Sequence, residues 1–179
     1  SWLSNTVFVI DTSGSMKTGD VWGSRTRLLA AWIAIALDFL AHRLETGAAS
    51  SMDVISIVSL GPEAKVVIRE QPSSWILYNR LIRIYMENEV PSSGHGPYLP
   101  SLSMAEELLT RNSNASWALA LSFRSDGRPS DWYLDRSIKK REWSSMLAER
   151  VGGLAKQCGR RLTFAAIGIG DSDDFDTLK

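Results

Sequence analysis

The sequence predicts an α/β fold, doubly wound: a mostly parallel sheet with one short antiparallel edge strand and helices on both faces. Three observations predict it. Val7-Phe8-Val9-Ile10 and Trp117-Ala118-Leu119-Ala120-Leu121 are unbroken apolar runs, the pattern of strands buried on both faces. Between such runs lie stretches whose apolar residues recur at spacings of three and four, which is the helical period. The two patterns alternate along the chain, and alternation implies parallel strands joined by right-handed crossovers.

Taken in order, the first strand ends at Asp11 and runs into Thr12-Ser13-Gly14-Ser15-Met16. Residues 25–44 then place Leu28, Leu29, Trp32, Ile33, Ala36, Leu37 and Leu40 on one broad helical face, with Gly47 as the stop. Residues 52–60 form a second strand, with Val54, Ile55, Ile57 and Val58 apolar on both faces. Gly61-Pro62 leads so directly into Ala64-Lys65-Val66-Val67-Ile68 that this strand returns as a hairpin and lies antiparallel at the sheet edge. Pro72-Ser73-Ser74 starts a helix over 75–87. Residues 88–100 are a Pro/Gly/Ser-rich loop of the length that often carries function, and a short helix covers 101–111. The strand from Trp117 ends at Asp126, a helix weakened by Gly152-Gly153 covers 138–157, and residues 162–170 form the last strand, opening onto Asp171.

A chain of 179 residues, 44% hydrophobic, fills one core, so residues 1–179 read as a single domain. Twenty basic residues balance twenty acidic ones, which leaves no field for nucleic acid. The longest apolar candidate, residues 28–40, is interrupted by Asp38 and too short to cross a bilayer, so direct membrane insertion is not expected. The lone Cys158 excludes a disulfide-stapled fold and leans slightly toward an intracellular setting. Ser1-Trp2-Leu3 at one end, and residues 173–179 at the other, read as a domain excised from a longer chain and cut in its last helix.

The chemistry gathers at the end of the first strand. Asp11, Ser13 and Ser15 set a carboxylate and two hydroxyls at alternate positions on the edge where such sheets keep their sites. Small, hard oxygen donors around a tight turn at Gly14 suit Mg²⁺ or Mn²⁺. The plainer reading is a strand-end turn in which these side chains cap the following loop.

Asp11-x-Ser13-x-Ser15 resembles the metal-ion-dependent adhesion site of von Willebrand factor type A domains. Ser125-Asp126-Gly127-Arg128-Pro129-Ser130-Asp131 resembles that family's third metal loop, and the likeness spans nearly the whole chain. The resemblance implies a Rossmann-like sheet, direct ligation of Mg²⁺ (or Mn²⁺) by Ser13 and Ser15, Asp11 acting directly or through water, and Asp126 as the third-loop carboxylate. The second loop departs from the pattern: the family commonly places a threonine before the next helix, and the matching position, counted back from Leu102, is Gly96. Beside it, His95 reads as a substitute ligand, a contact for a partner's carboxylate, or a solvated loop residue. Asp131, Asp171 and the Asp173-Asp174 pair read as solvated loop and helix-start charges, Asp131 also as an orienter of metal-bound water. Trp22 and Trp132 stand just beyond the first and third loops, where they form a partner-binding rim if exposed and otherwise shield helix ends.

The reading that follows is a metal-dependent protein-interaction module whose Mg²⁺ is completed by an Asp or Glu of a partner. Neutral hydroxyl ligands leave much of the cation's charge available to that carboxylate. An intramolecular regulatory or scaffold domain of a larger enzyme is the second reading. A Mg²⁺-dependent phosphohydrolase is the third, and it lacks a part: phosphatases that attack through a strand-end aspartate carry a second aspartate two positions on, where this chain has Ser13. No Gly-x-Ser-x-Gly elbow, Gly-x-Gly-x-x-Gly or Walker loop occurs, so no catalytic residue is assigned.

Overall fold

Strand β1 (Ser4–Asp11) is the axis of the molecule because its apolar residues need cover on both faces. The structure is a computed structural model that describes residues 4–111, 114–127, 129–171, 175 and 178. Ser1-Trp2-Leu3, Arg128, the Asp173-Asp174 pair and most of the expected terminal helix lie outside the described residues. β1 pairs in parallel with β2 (Asp53–Leu60) on one side and β4 (Ala118–Ser125) on the other. Beyond them β3 (Lys65–Pro72) runs antiparallel to β2, and β5 (Leu162–Gly168) runs parallel to β4. The order β3-β2-β1-β4-β5 makes a five-stranded sheet with one antiparallel edge.

The period-two geometry of β1 divides the core between two helical layers. Phe8 and Ile10 face a cluster with Ile55 and Ile57 of β2, Leu28, Trp32 and Leu40 of the first long helix, and Leu77, Leu81 and Ile84 of α3 (Trp75–Glu87). Val7 and Val9 face the opposite way, onto Leu102, Ala105 and Leu109 of α4 (Tyr98–Thr110) and, through β4, Leu147 and Leu154 of α5 (Lys140–Cys158). The first long helix is composite: α1 (Arg27–Ile33) passes through a π-helical stretch, Ala34–Ala41, into α2 (His42–Glu45). Thr26 caps its start by accepting from the Leu29 amide, and Ser74 caps α3 in the same way through Leu77.

The structure departs from the sequence reading in places that have physical causes. β3 extends to Pro72, past the expected Ile68, and its register with β2 shifts on either side of Ile57, where the pairing is bulged. Helix α5 agrees with the reading as one helix and runs unbroken through Gly152 and Gly153. The edge strand β5 leaves Phe164 and Ile167 exposed, where a strand covered on both faces would bury them. Helix α4 begins at Tyr98, ahead of the expected 101. Its cap comes from elsewhere in the chain: the Asp131 carboxylate accepts from the Tyr98 amide (2.9 Å) and the Leu99 amide (2.8 Å). Pro100 then falls in the first turn, where a missing N–H costs nothing.

Asp131 is therefore not a solvated charge as the sequence suggests; it is 1% exposed, and burial pushes its carboxyl upward against the two amide hydrogen bonds. Among the described residues no helix is long and apolar enough to cross a membrane.

Asp131→Ala strips the acceptor from two amides at a buried helix start and is expected to cost about 2 kcal/mol in urea unfolding. Glu106→Ala, which removes an ion pair with Arg150 at the surface, is expected to cost less than about 1 kcal/mol in the same measurement.

Candidate metal centre

Asp11 closes β1 and is fully buried, so the chain around it is arranged to supply hydrogen bonds to a carboxylate. Its Oδ1 accepts from the Ser13 amide at 2.7 Å, and its Oδ2 accepts from Ser125 Oγ at 2.5 Å. Tyr98 Oη lies 2.6 Å from the same Ser125 hydroxyl. Burial first, and then the neighbouring carboxylates, push the Tyr98 hydroxyl far above its ordinary value, so it stays protonated and donates to Ser125, which in turn donates to Asp11. Thr12 and Met16 hold the turn down: Thr12 bonds the Leu60 carbonyl through its amide and hydroxyl, and Met16 is buried in the core. The alternate residues are left to face the loop crevice, and Ser13 Oγ sits 3.1 Å from Ser15 Oγ.

The second loop closes on this turn through its backbone. Gly14 donates to the Gly94 carbonyl (3.0 Å) and Ser93 donates to the Thr12 carbonyl (2.8 Å). Gly96 is pressed in so closely that a Cβ there would stand 2.9 Å from Ser13 Cβ, 3.0 Å from Leu60 Cδ2 and 3.2 Å from Asp11 Oδ1. In this arrangement no side chain fits at the position where the resemblance calls for threonine. Gly96 is tied to the third loop as well, donating to Ser130 Oγ (2.7 Å) while its carbonyl accepts from the Ser130 amide (3.2 Å). His95 is exposed; it stacks on Tyr133 at 4.1 Å between ring centres and meets Trp132 edge-on at 6.0 Å. Trp132 is accessible, and Trp22 projects fully exposed from the loop after the first metal motif.

The third-loop carboxylate, Asp126, is fully buried, and its Oδ2 accepts from Arg27 Nη1 at 3.1 Å. Arg27 also grips Asp20 through Nε (2.8 Å) and Nη2 (2.5 Å). The Asp171 amide completes the set by donating to Asp20 at 3.0 Å. Gly170, at φ +96°, lies flat against the Arg27 guanidinium, where any side chain would collide with it. The loop after β1, the ends of β4 and β5 and the start of α1 are thereby joined through one cation. Hydrogen bonds from Arg27 hold the Asp20 carboxyl well below the usual carboxylate range. Asp11 moves the other way: burial, aided by the charge of Asp126, raises it from 3.8 to about 6 against the hydrogen bonds from Ser125 and Ser13.

Among the described residues no group of three or more His, Cys, Asp or Glu side chains is placed to hold a metal. A cation here relies on hydroxyls, and the donor set fits a hard one. Two ligands at about 2.1 Å and at right angles on an octahedral Mg²⁺ lie about 3 Å apart, which is the spacing of Ser13 Oγ and Ser15 Oγ. Arg27, Asp20 and Tyr98 are neighbours of the site that motif reading passes over, and Ser125 and Ser130 stand inside the third-loop motif without a role assigned from sequence. One signal was present for Arg27: it directly precedes Leu28 on the buried side of an apolar helix, where a charge needs partners.

No family model matches the chain, and no curated protein matches it in sequence. Solved structures do match in shape. The SpRpn10 VWA domain is 9% identical with a TM-score of 0.57, over 98% of this chain and 94% of that one. The manganese-loaded TRAP protein of Plasmodium vivax is 15% identical with a TM-score of 0.62, over 98% of this chain and 62% of that one. A von Willebrand factor type A protein from Catenulispora acidiphila is 15% identical with a TM-score of 0.61, over 99% of this chain and 37% of that one. The chain thus spans less than two thirds of the latter two proteins. At these identities the likeness is one of fold, and the fold is that of von Willebrand factor type A domains.

Holding Asp11 at about 6 penalises its ionised form in the folded state by about 3 kcal/mol. Because the folded value lies above the unfolded one, the penalty is complete above about pH 6 and fades as pH falls toward about 4. Without divalent cation, Asp11→Asn is therefore expected to melt several degrees above wild type at neutral pH, with the gap closing near pH 4. Arg27→Met removes the guanidinium from a fully buried carboxylate and is expected to cost about 3 kcal/mol in chemical unfolding.

Proposed function

We propose that this von Willebrand factor type A fold serves as a metal-dependent protein-interaction module, in which Ser13, Ser15 and Asp11 hold Mg²⁺ or Mn²⁺ at the C-terminal edge of the sheet. The observation that carries the reading is the pair of hydroxyls 3.1 Å apart above a buried carboxylate. A bound divalent cation would supply an electrophilic position that an Asp or Glu of a partner protein completes. The chain's own residues set how electrophilic that position is. Ser13 and Ser15 are neutral donors, and Arg27 offsets the charge of Asp126 from behind. Asp11 is oriented from both sides by the Ser13 amide and the Ser125 hydroxyl, which leaves further acceptor capacity on each of its oxygens.

The similar structures support the reading. Among them are the manganese-loaded TRAP protein and a pilus adhesin, SpaC, from Lactobacillus rhamnosus GG. The aromatic group of His95, Trp132 and Tyr133 gives the second and third loops an exposed contact surface beside the site. The position that would carry a general acid in a phosphohydrolase is Ser13, so the module is read as non-enzymatic.

Melting in excess Mg²⁺ or Mn²⁺ against EDTA tests the proposal. Cation at about a hundred times its dissociation constant stabilises by about 2.7 kcal/mol, so wild type is expected to gain several degrees at neutral pH. Ser13→Ala/Ser15→Ala is expected to gain none, and the wild-type gain is expected to shrink as pH falls below about 6, where protons compete with the cation for Asp11, and to be mostly lost near pH 4. A melting point indifferent to both cation and EDTA, or an equal gain in the double alanine variant, counts against the site.

A further inference from the structure

Beside the first loop lies a cavity of about 640 Å³, whose lining includes Lys17, Arg25, Leu29, Tyr85, Met86 and Ser92. Its lining adjoins the candidate metal centre along the chain at two points. Lys17 ends the 3₁₀ turn that carries Ser15, and Ser92 precedes Ser93, whose amide donates to the Thr12 carbonyl. The apolar lining is only partly covered: Leu29 and Tyr85 are half-buried, and Met86 is 72% exposed. An unbranched thioether on such a surface adapts to apolar side chains of varied shape.

The charge of this cavity has one sign. Lys17 and Arg25 are exposed and form no ion pair among the described residues, and no acidic side chain lines the space. Of the two acids that flank Asn88, Glu89 is taken up in a two-pronged pair with Arg80, at 2.6 and 2.7 Å, and Glu87 is exposed and does not line the space. A phosphate cradle would present converging backbone amides; this cavity presents long basic side chains around leucine, tyrosine and methionine.

We infer that this cavity is a second subsite for the partner, and that it takes an acidic stretch of polypeptide carrying apolar side chains, next to the carboxylate that reaches the metal. The inference rests on the metal-dependent reading of the neighbouring site. A chain that delivers one carboxylate to Ser13 and Ser15 has to leave the site across the surrounding surface. Along this path its apolar residues are buried against Leu29, Tyr85 and Met86, while its acids face Lys17 and Arg25. Such complementarity selects the partner and fixes its direction across the site.

The probe is a fluorescein-labelled short peptide with one aspartate followed by alternating leucine and glutamate, read by anisotropy in Mg²⁺ and in EDTA. Companion peptides replace the leucines by serine, the glutamates by glutamine, or the glutamates by lysine. The acidic, apolar peptide is expected to bind about tenfold more tightly than the serine or glutamine versions. Lys17→Glu/Arg25→Glu is expected to reverse the preference toward the lysine peptide, a gain that misfolding cannot produce. Binding that follows leucine, glutamate and the charge reversal but ignores EDTA upholds this subsite and removes the metal reading. Binding that requires Mg²⁺ but ignores all three changes upholds the metal and overturns the subsite. Failure of every peptide to bind overturns it as well.

Discussion

A carboxylate with no solvent exposure at the end of a central strand has to be satisfied from every side, and Asp11 imposes that demand on the loops around it. The Ser13 amide turns back to it, Ser125 reaches over from β4, and Tyr98 supports Ser125 from the start of α4. Gly96 is glycine because the second loop passes against the same carboxylate and the Ser13 side chain. Even so, burial outweighs these hydrogen bonds and raises the carboxyl to about 6. The fold therefore holds an acid at neutral pH at an energetic cost, an arrangement that a bound cation would relieve.

Arg27 solves a related problem one loop away. Asp126 is as deeply buried as Asp11, and its charge opposes ionisation of Asp11. The guanidinium lies between Asp126 and Asp20, and the Asp171 amide closes the far side. Buried ion pairs of this kind do more to fix geometry than to add net stability. Here the fixed geometry is the relative placement of the Asp20 loop, the ends of β4 and β5, and α1, whose N-terminal turn also borders the basic cavity.

Much of the architecture was legible because burial on two faces leaves an unbroken apolar run in β1, and because helical spacing is a strong signal in residues 25–44 and 75–87; β4 is buried on one face and half-buried on the other, so its apolar run marked a strand without fixing its cover. The hairpin into β3 followed from the shortness of the Gly61-Pro62 turn. The start of α4 was not legible from local sequence, since its cap, Asp131, lies more than thirty positions away along the chain. For the same reason Asp131 read as solvated: nothing near it in sequence shows two amides waiting for an acceptor. The exposure of β5 was hidden as well, because an apolar run signals a strand without saying whether both its faces are covered.

At the site, the Asp11-x-Ser13-x-Ser15 spacing pointed to oxygen donors at a strand end, and the structure sets the two hydroxyls side by side. Gly96 stood out as an absence, whereas its cause is steric and visible only in three dimensions. The most direct measurement is anomalous diffraction from crystals grown with Mn²⁺. A bound cation is expected as an anomalous peak about 2.2 Å from both Ser13 Oγ and Ser15 Oγ, on the side away from the buried Met16. Saturating Mn²⁺ with no peak there, and the two hydroxyls still bonded to each other, would contradict it.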